Sequence, residues 1–204
     1  MRQIKKWVLS ALFLALGLCL TACGGEKPDL PMELTVDGHA IVLGSTTTGD
    51  LADWGWDVHL LAPRDNLTEE TQYVTCDFRI SRGEDSQFSA AVLVPFQRNF
   101  VGANQVDLIE EARLSLTQGV VSEVTVDQAA AGQFQILYHG ADCRTLTWDD
   151  AAAWGARRDR GTAADAPVCT LEAARGTLSF AGTADAPARF SLVLDPETFA
   201  ALQG

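Results

Sequence analysis

Lysine is nearly missing from this chain: it stands at positions 5, 6 and 27 only, and every later cation is arginine. Fifteen basic residues face 27 acidic ones, a formal charge of −12. Nucleic acid and anionic headgroups are both recognised through a basic footprint, so neither is expected as a partner. Beyond residue 20 no apolar run approaches the roughly 20 residues that a helix needs to cross a bilayer. There is no Cys-x-x-Cys, and His39, His59 and His139 lack the spacing of a helical zinc site. A Gly-x-Ser-x-Gly elbow, a phosphate-binding glycine loop and a dinucleotide fingerprint are all missing. The sequence therefore calls for no metal and no cofactor, and it assigns no catalytic residue.

What is present begins at the N-terminus. Arg2, Lys5 and Lys6 precede an apolar stretch over 7–20, broken only by Ser10 and Gly17, and Leu20-Thr21-Ala22-Cys23 closes it. A basic start, a short apolar core and small residues at its end make a secretory signal. The final four residues resemble the lipobox of bacterial lipoproteins. That resemblance implies that 1–22 are removed and that Cys23 becomes a lipidated first residue, carrying palmitate-type chains. Two acyl chains suffice for stable anchoring, so the membrane is the expected partner, held on the extracytoplasmic face of the cell membrane. Residues 23–31 then form the lipidated cysteine and a tether. Losing Arg2, Lys5 and Lys6 with the leader removes three positive charges and takes the formal charge from −12 to −15.

Three cysteines follow, Cys76, Cys143 and Cys169. Thiols outside the cytoplasm tend to pair. An odd number permits one internal bridge, and Cys143 with Cys169 is the preferred pair; three buried, reduced cysteines are the alternative. The bridge would close a loop of about 25 residues and contribute roughly 3 kcal/mol.

The mature part reads as strand-rich α+β. Alternation predicts strands at 34–36 and 40–43 around the turn Asp37-Gly38. Further strands are expected at 73–80, 88–94, 134–138, 178–180 and 190–194, with a hairpin of 112–116 and 120–126 around Thr117-Gln118-Gly119. Short helices are expected from Thr47 to Gly55, over 148–154 and at 196–202.

The most informative internal feature is a self-match. Thr47-Thr48-Gly49-Asp50-Leu51-Ala52-Asp53-Trp54-Gly55 aligns with Thr147-Trp148-Asp149-Asp150-Ala151-Ala152-Ala153-Trp154-Gly155, sharing Thr, Asp, Ala, Trp and Gly. Thr is an N-cap, Asp at the third position meets exposed N–H groups, Trp anchors the helix on a sheet and Gly ends it. Two short-helix-on-antiparallel-sheet repeats are therefore expected, a first module over 32–105 and a second over 106–204. A capped short helix ending in Trp-Gly with a returning antiparallel sheet resembles the modules of the β-lactamase-inhibitor-protein fold, whose layout the small outer-membrane assembly lipoproteins share. Trp54 and Trp154 are either core anchors or a ligand platform.

The acidic pairs Glu69-Glu70, Glu84-Asp85, Glu110-Glu111 and Asp149-Asp150 lack calcium-loop spacing and read as surface charge. His139, Asp142 and Cys143 are close in sequence, but a thiol nucleophile normally draws its base from a distant segment. The expectation is a membrane-anchored, non-enzymatic binding or scaffolding module with an envelope protein or glycan as partner. Its rivals are an envelope hydrolase built on scattered carboxylates and a small-ligand receptor lined by tryptophans.

Overall fold

A computed structural model describes residues 27–64, 73–95 and 118–203. The leader 1–22, Cys23 and the predicted strand at 112–116 lie outside the described residues.

The chain runs β1 (Glu33–Val36), β2 (His39–Val42), α1 (Thr48–Asp53), β3 (Asp57–Pro63), β4 (Tyr73–Ser81), β5 (Gln87–Pro95) and β6 (Val120–Asp127). It continues with β7 (Ile136–Tyr138), β8 (Ala141–Asp142), α2 (Trp148–Ala153), β9 (Arg157–Arg158), β10 (Val168–Glu172), β11 (Gly176–Gly182), β12 (Pro187–Leu194) and α3 (Pro196–Gln203). The fold is α+β and mostly β: two antiparallel sheets and three short helices among the described residues.

A four-stranded sheet has the order β2-β1-β7-β8, and an eight-stranded sheet the order β3-β4-β5-β6-β12-β11-β10-β9. Both orders read alike outward from the middle. β1 meets β7 at the centre of one sheet and β6 meets β12 at the centre of the other. Period-two alternation explains why these segments are strands. In β4, Val74, Cys76, Phe78 and Ile80 are buried while Thr75, Asp77 and Arg79 face the other way. The inward faces of both sheets, with Leu51 of α1 and Ala151 of α2, form one core. Its largest members include Phe78, Phe134, Tyr138, Phe180 and Phe190.

Two tight turns carry the small sheet. Asp37 and Gly38 have φ of 49° and 86°, and His139 and Gly140 have 50° and 79°. Positive φ at both central residues is the geometry of a two-residue hairpin. Asp37 is held there by its carboxylate, which accepts from the Gln135 N–H at 2.9 Å, and by a close ion pair with Arg82. The Arg82 guanidinium also lies over the Phe134 ring, 5.0 Å from its centroid.

One expectation changes. The strand foreseen at 134–138 narrows to Ile136–Tyr138, because Phe134 closes the preceding turn through its N–H to Ala131. β6 falls on the expected 120–126, and its expected hairpin partner at 112–116 lies outside the described residues. β6 pairs with β5 on one side and β12 on the other, and Val121 exchanges hydrogen bonds with Gly44 and Thr46. Gly119 is needed there for space: an added Cβ would sit 2.6 Å from Val92 Cγ1.

Candidate binding face

The two matched nonapeptides fold alike. Thr47 Oγ1 accepts from the Asp50 N–H at 3.1 Å, and Asp50 Oδ2 accepts from the Thr47 N–H at 2.8 Å. At the second position the same two bonds measure 3.2 and 2.8 Å. Each is a reciprocal capping box. The hydrogen bonds from Thr147 hold the Asp150 carboxyl below its usual range. Trp54 and Trp154 are the C-caps.

Both tryptophan rings are covered by other rings. His39 stacks on Trp54 at 4.7 Å, with Trp56 edge-on at 5.2 Å. Trp154 meets Tyr138 at 5.3 Å and Phe180 at 5.8 Å. Both are half-buried and pack against the core.

Cys143 and Cys169 are not joined by a disulfide. Cys143 is buried in the turn after β8, while Cys169 is half-buried on β10 in the other sheet. Burial, helped by the Asp142 charge, pushes the Cys143 thiol up to about 12, and burial raises Cys169 as well. Neither is a thiolate at neutral pH, so neither is an activated nucleophile. Asp142 is already taken: Arg144 donates to both its oxygens, which lowers its pKa. Glu84-Asp85 lie exposed in the β4–β5 turn and Asp149-Asp150 in the first turn of α2, whereas Glu69-Glu70 and Glu110-Glu111 lie outside the described residues. No group of three His, Cys, Asp or Glu that could hold a metal ion occurs among the described residues.

The feature that sequence reading missed lies on the outer face of the eight-stranded sheet. Register places His59, Arg79, Ser89, Thr125, Ser191, Ser179, Thr170 and Arg157 in one row, one residue from each strand. Five consecutive members bear hydroxyls, with an arginine at each side. The residues flanking the five central members of β4, β5, β6, β12 and β11 are buried: Phe78 and Ile80, Phe88 and Ala90, Val124 and Val126, Leu192 and Phe190, Leu178 and Phe180. Alternation therefore turns the row away from the core. Thr125 Oγ1 and Ser191 Oγ are 2.8 Å apart at its centre.

The adjacent row holds Asp77, Ala91 and Glu123. Arg64 reaches Asp77 at 2.6 Å and Glu123 at 2.8 Å, so its guanidinium crosses β5 where the side chain is a single methyl group. These two carboxylates, Asp77 foremost, raise its pKa further and keep it charged. Arg79, Ser89 and Thr125 of the first row and all three residues of the second line an open groove of about 530 Å³, together with Gln87, Asp127 and Arg189. The sequence signal for this face was the polar residue between each pair of apolar ones. What it withheld was which strands lie side by side.

Comparison of the chain with protein-family models, with curated proteins and with solved structures gave no match. The functional reading therefore rests on the geometry itself.

Proposed function

We propose that this chain is a lipid-anchored extracytoplasmic lipoprotein whose eight-stranded sheet presents its outer face to an envelope protein, as a non-enzymatic binding or scaffolding module. The observation that carries this reading is the eight-residue polar row. Seven inter-strand gaps of about 4.8 Å make it roughly 34 Å wide. A face of that width matches the roughly 800 Å² that each partner contributes to an ordinary protein interface. Short hydroxyls leave backbone and side chain within reach of a partner, and the flanking arginines supply directional donors. The row holds no Trp, Tyr or Phe, which favours a protein over a glycan, since sugar rings are usually gripped by stacking.

The duplication belongs to the same proposal. Equal capping boxes, equal hairpin turns and mirrored strand orders support two copies of one helix-on-sheet unit. Division at 106 would place β6 with the second copy. A division after β6 would follow the mirrored order and give four large-sheet strands to each unit. The row then runs across the junction, so neither unit alone holds the whole face.

Pull-down from detergent-solubilised membranes tests the reading. The lipidated protein is expected to retain a discrete partner that Ser179→Arg and Ser191→Arg lose without loss of folding. Retention that these two changes leave untouched would remove the face from the proposal.

A further inference from the structure

Residues 27–32 are fastened to the body one after another. Lys27 Nζ pairs with Glu172 at 3.1 Å, and the Ala174 N–H donates to the Pro28 carbonyl at 2.9 Å. Arg175 donates through Nε to Asp29 at 3.0 Å and through Nη2 to the Leu30 carbonyl at 3.1 Å. The Tyr138 hydroxyl donates to the Pro31 carbonyl at 3.3 Å, and the Leu43 N–H donates to the Met32 carbonyl at 2.8 Å. Four of these six residues are thus held by residues 172–175, at the turn from β10 to β11.

That turn marks one end of the sheets. Gly176 pairs with Leu194, the Asp195 N–H donates to the Arg175 carbonyl, and α3 follows at once. Leu202 of α3 lies over Gly44 and is 58 % exposed. A cleft of about 470 Å³ separates it from Pro31, Met32 and Arg175. The Asp37-Gly38 turn, the loop at 82–86 and the turn at 183–186 lie at the other end. A nine-residue strand such as β5 puts the two ends about 30 Å apart.

Resting on the lipid-anchor reading, we propose that the tether end is a membrane-docking surface, with the lipid headgroup layer covering the β10–β11 turn and Leu202 of α3. The argument is one of reach. Cys23 and Lys27 are separated by four Cα–Cα steps, at most about 15 Å. Since Lys27 is clamped at this end, an acylated Cys23 brings this end, and not the opposite one, against the bilayer. Charge does not provide the attraction, because the chain is acidic and Lys27 and Arg175 are already paired. Orientation set by covalent reach does not depend on salt. The strands then stand away from the bilayer and the polar row runs parallel to it, with Ser179 about 13 Å beyond Arg175.

The test uses the full lipidated protein in a Cys169→Ser background, Cys76 and Cys143 being buried. A fluorophore is placed on Leu202→Cys or on Glu84→Cys, and the protein is reconstituted into phosphatidylethanolamine–phosphatidylglycerol vesicles containing a headgroup nitroxide lipid. Quenching at 202 is expected to exceed that at 84 by at least about threefold, given ends about 30 Å apart. It should be unchanged by salt. A flexible Gly-Ser insertion between Gly24 and Gly25 should bring the two values together. Equal quenching in the uninserted protein overturns the docking surface while leaving the lipid anchor standing, and a contrast that survives the insertion overturns covalent reach as what sets the orientation. A protein that does not float with vesicles overturns the anchor and the docking surface with it.

Discussion

Thr125 and Ser191 come from strands 66 residues apart in sequence, yet their hydroxyl oxygens are 2.8 Å from each other at the midpoint of the large sheet. They join β6 to β12, the seam where the two halves of the eight-stranded sheet meet. A hydroxyl pair of this kind contributes about 0.5–1.5 kcal/mol. In a double-mutant cycle, Thr125→Val and Ser191→Ala should therefore couple by up to about 1 kcal/mol, measured by urea unfolding. Additive effects would mean that the pair does not contribute as a unit.

The capping boxes predict parallel losses. Removing an N-cap hydroxyl costs about 1 kcal/mol, and about 1 kcal/mol lowers Tm by roughly 2–4 °C in a domain of this size. Thr47→Ala should show a loss of that order in a thermal melt, and Thr147→Ala a loss in the same direction. Serine at either site should restore most of it.

Gly132 tests the loop that ties the sheets together. Its φ is 56°, and an added Cβ would lie 2.1 Å from the Asp85 carbonyl oxygen. Ala there meets both a left-handed backbone and a collision with main chain, so Gly132→Ala should cost more than about 1 kcal/mol. Gly38 also has positive φ but has open space around it, so Gly38→Ala should cost less. Equilibrium unfolding of the two variants gives the order directly.

Asp142 and Tyr138 each give stability a pH dependence. The Arg144 guanidinium holds Asp142 below its ordinary pKa. Its contribution is present above the ordinary carboxylate range and is lost as pH falls through the lowered folded value. Asp142→Asn should flatten this part of the acid limb. Tyr138 is raised to about 12, chiefly by burial. Its contribution is full below the ordinary value of 10 and declines as pH rises from there towards 12. Tyr138→Phe should flatten the alkaline limb, at the cost of the bond to Pro31. Unfolding free energies from pH 3 to 11 check both signs.

Much of the architecture was legible because core strands carry their own signal. Phe78 and Ile80, or Phe190 and Leu192, alternate with polar residues and define strand and face together. The capped helices were legible because Thr47 with Asp50 and Thr147 with Asp150 are local contacts three residues apart. β3 escaped because it is an edge strand, whose Val58 and Leu60 are only half buried and whose ladder slips between Leu60 and Ala62. β9 and β10 escaped because they border on the same kind of edge, with no fully buried residue. The polar row was invisible for a different reason. Ser89, Thr125, Ser179 and Ser191 are each unremarkable alone, and only pairing between strands distant in sequence makes them neighbours. Trp54 and Trp154 stood out in sequence, and what sequence could not show is that their rings are engaged by His39, Tyr138 and Phe180.

The central claim is that the outer sheet face meets a partner in the envelope. Site-specific photocross-linking in intact cells tests it most directly, with the reactive side chain placed in turn at Ser179, at Ser191 and at Glu84 at the far end of the sandwich. A discrete adduct from both serines and none from Glu84 is the predicted result. Adducts from Glu84 alone, or none from either serine in a protein that is folded and membrane-bound, would contradict it.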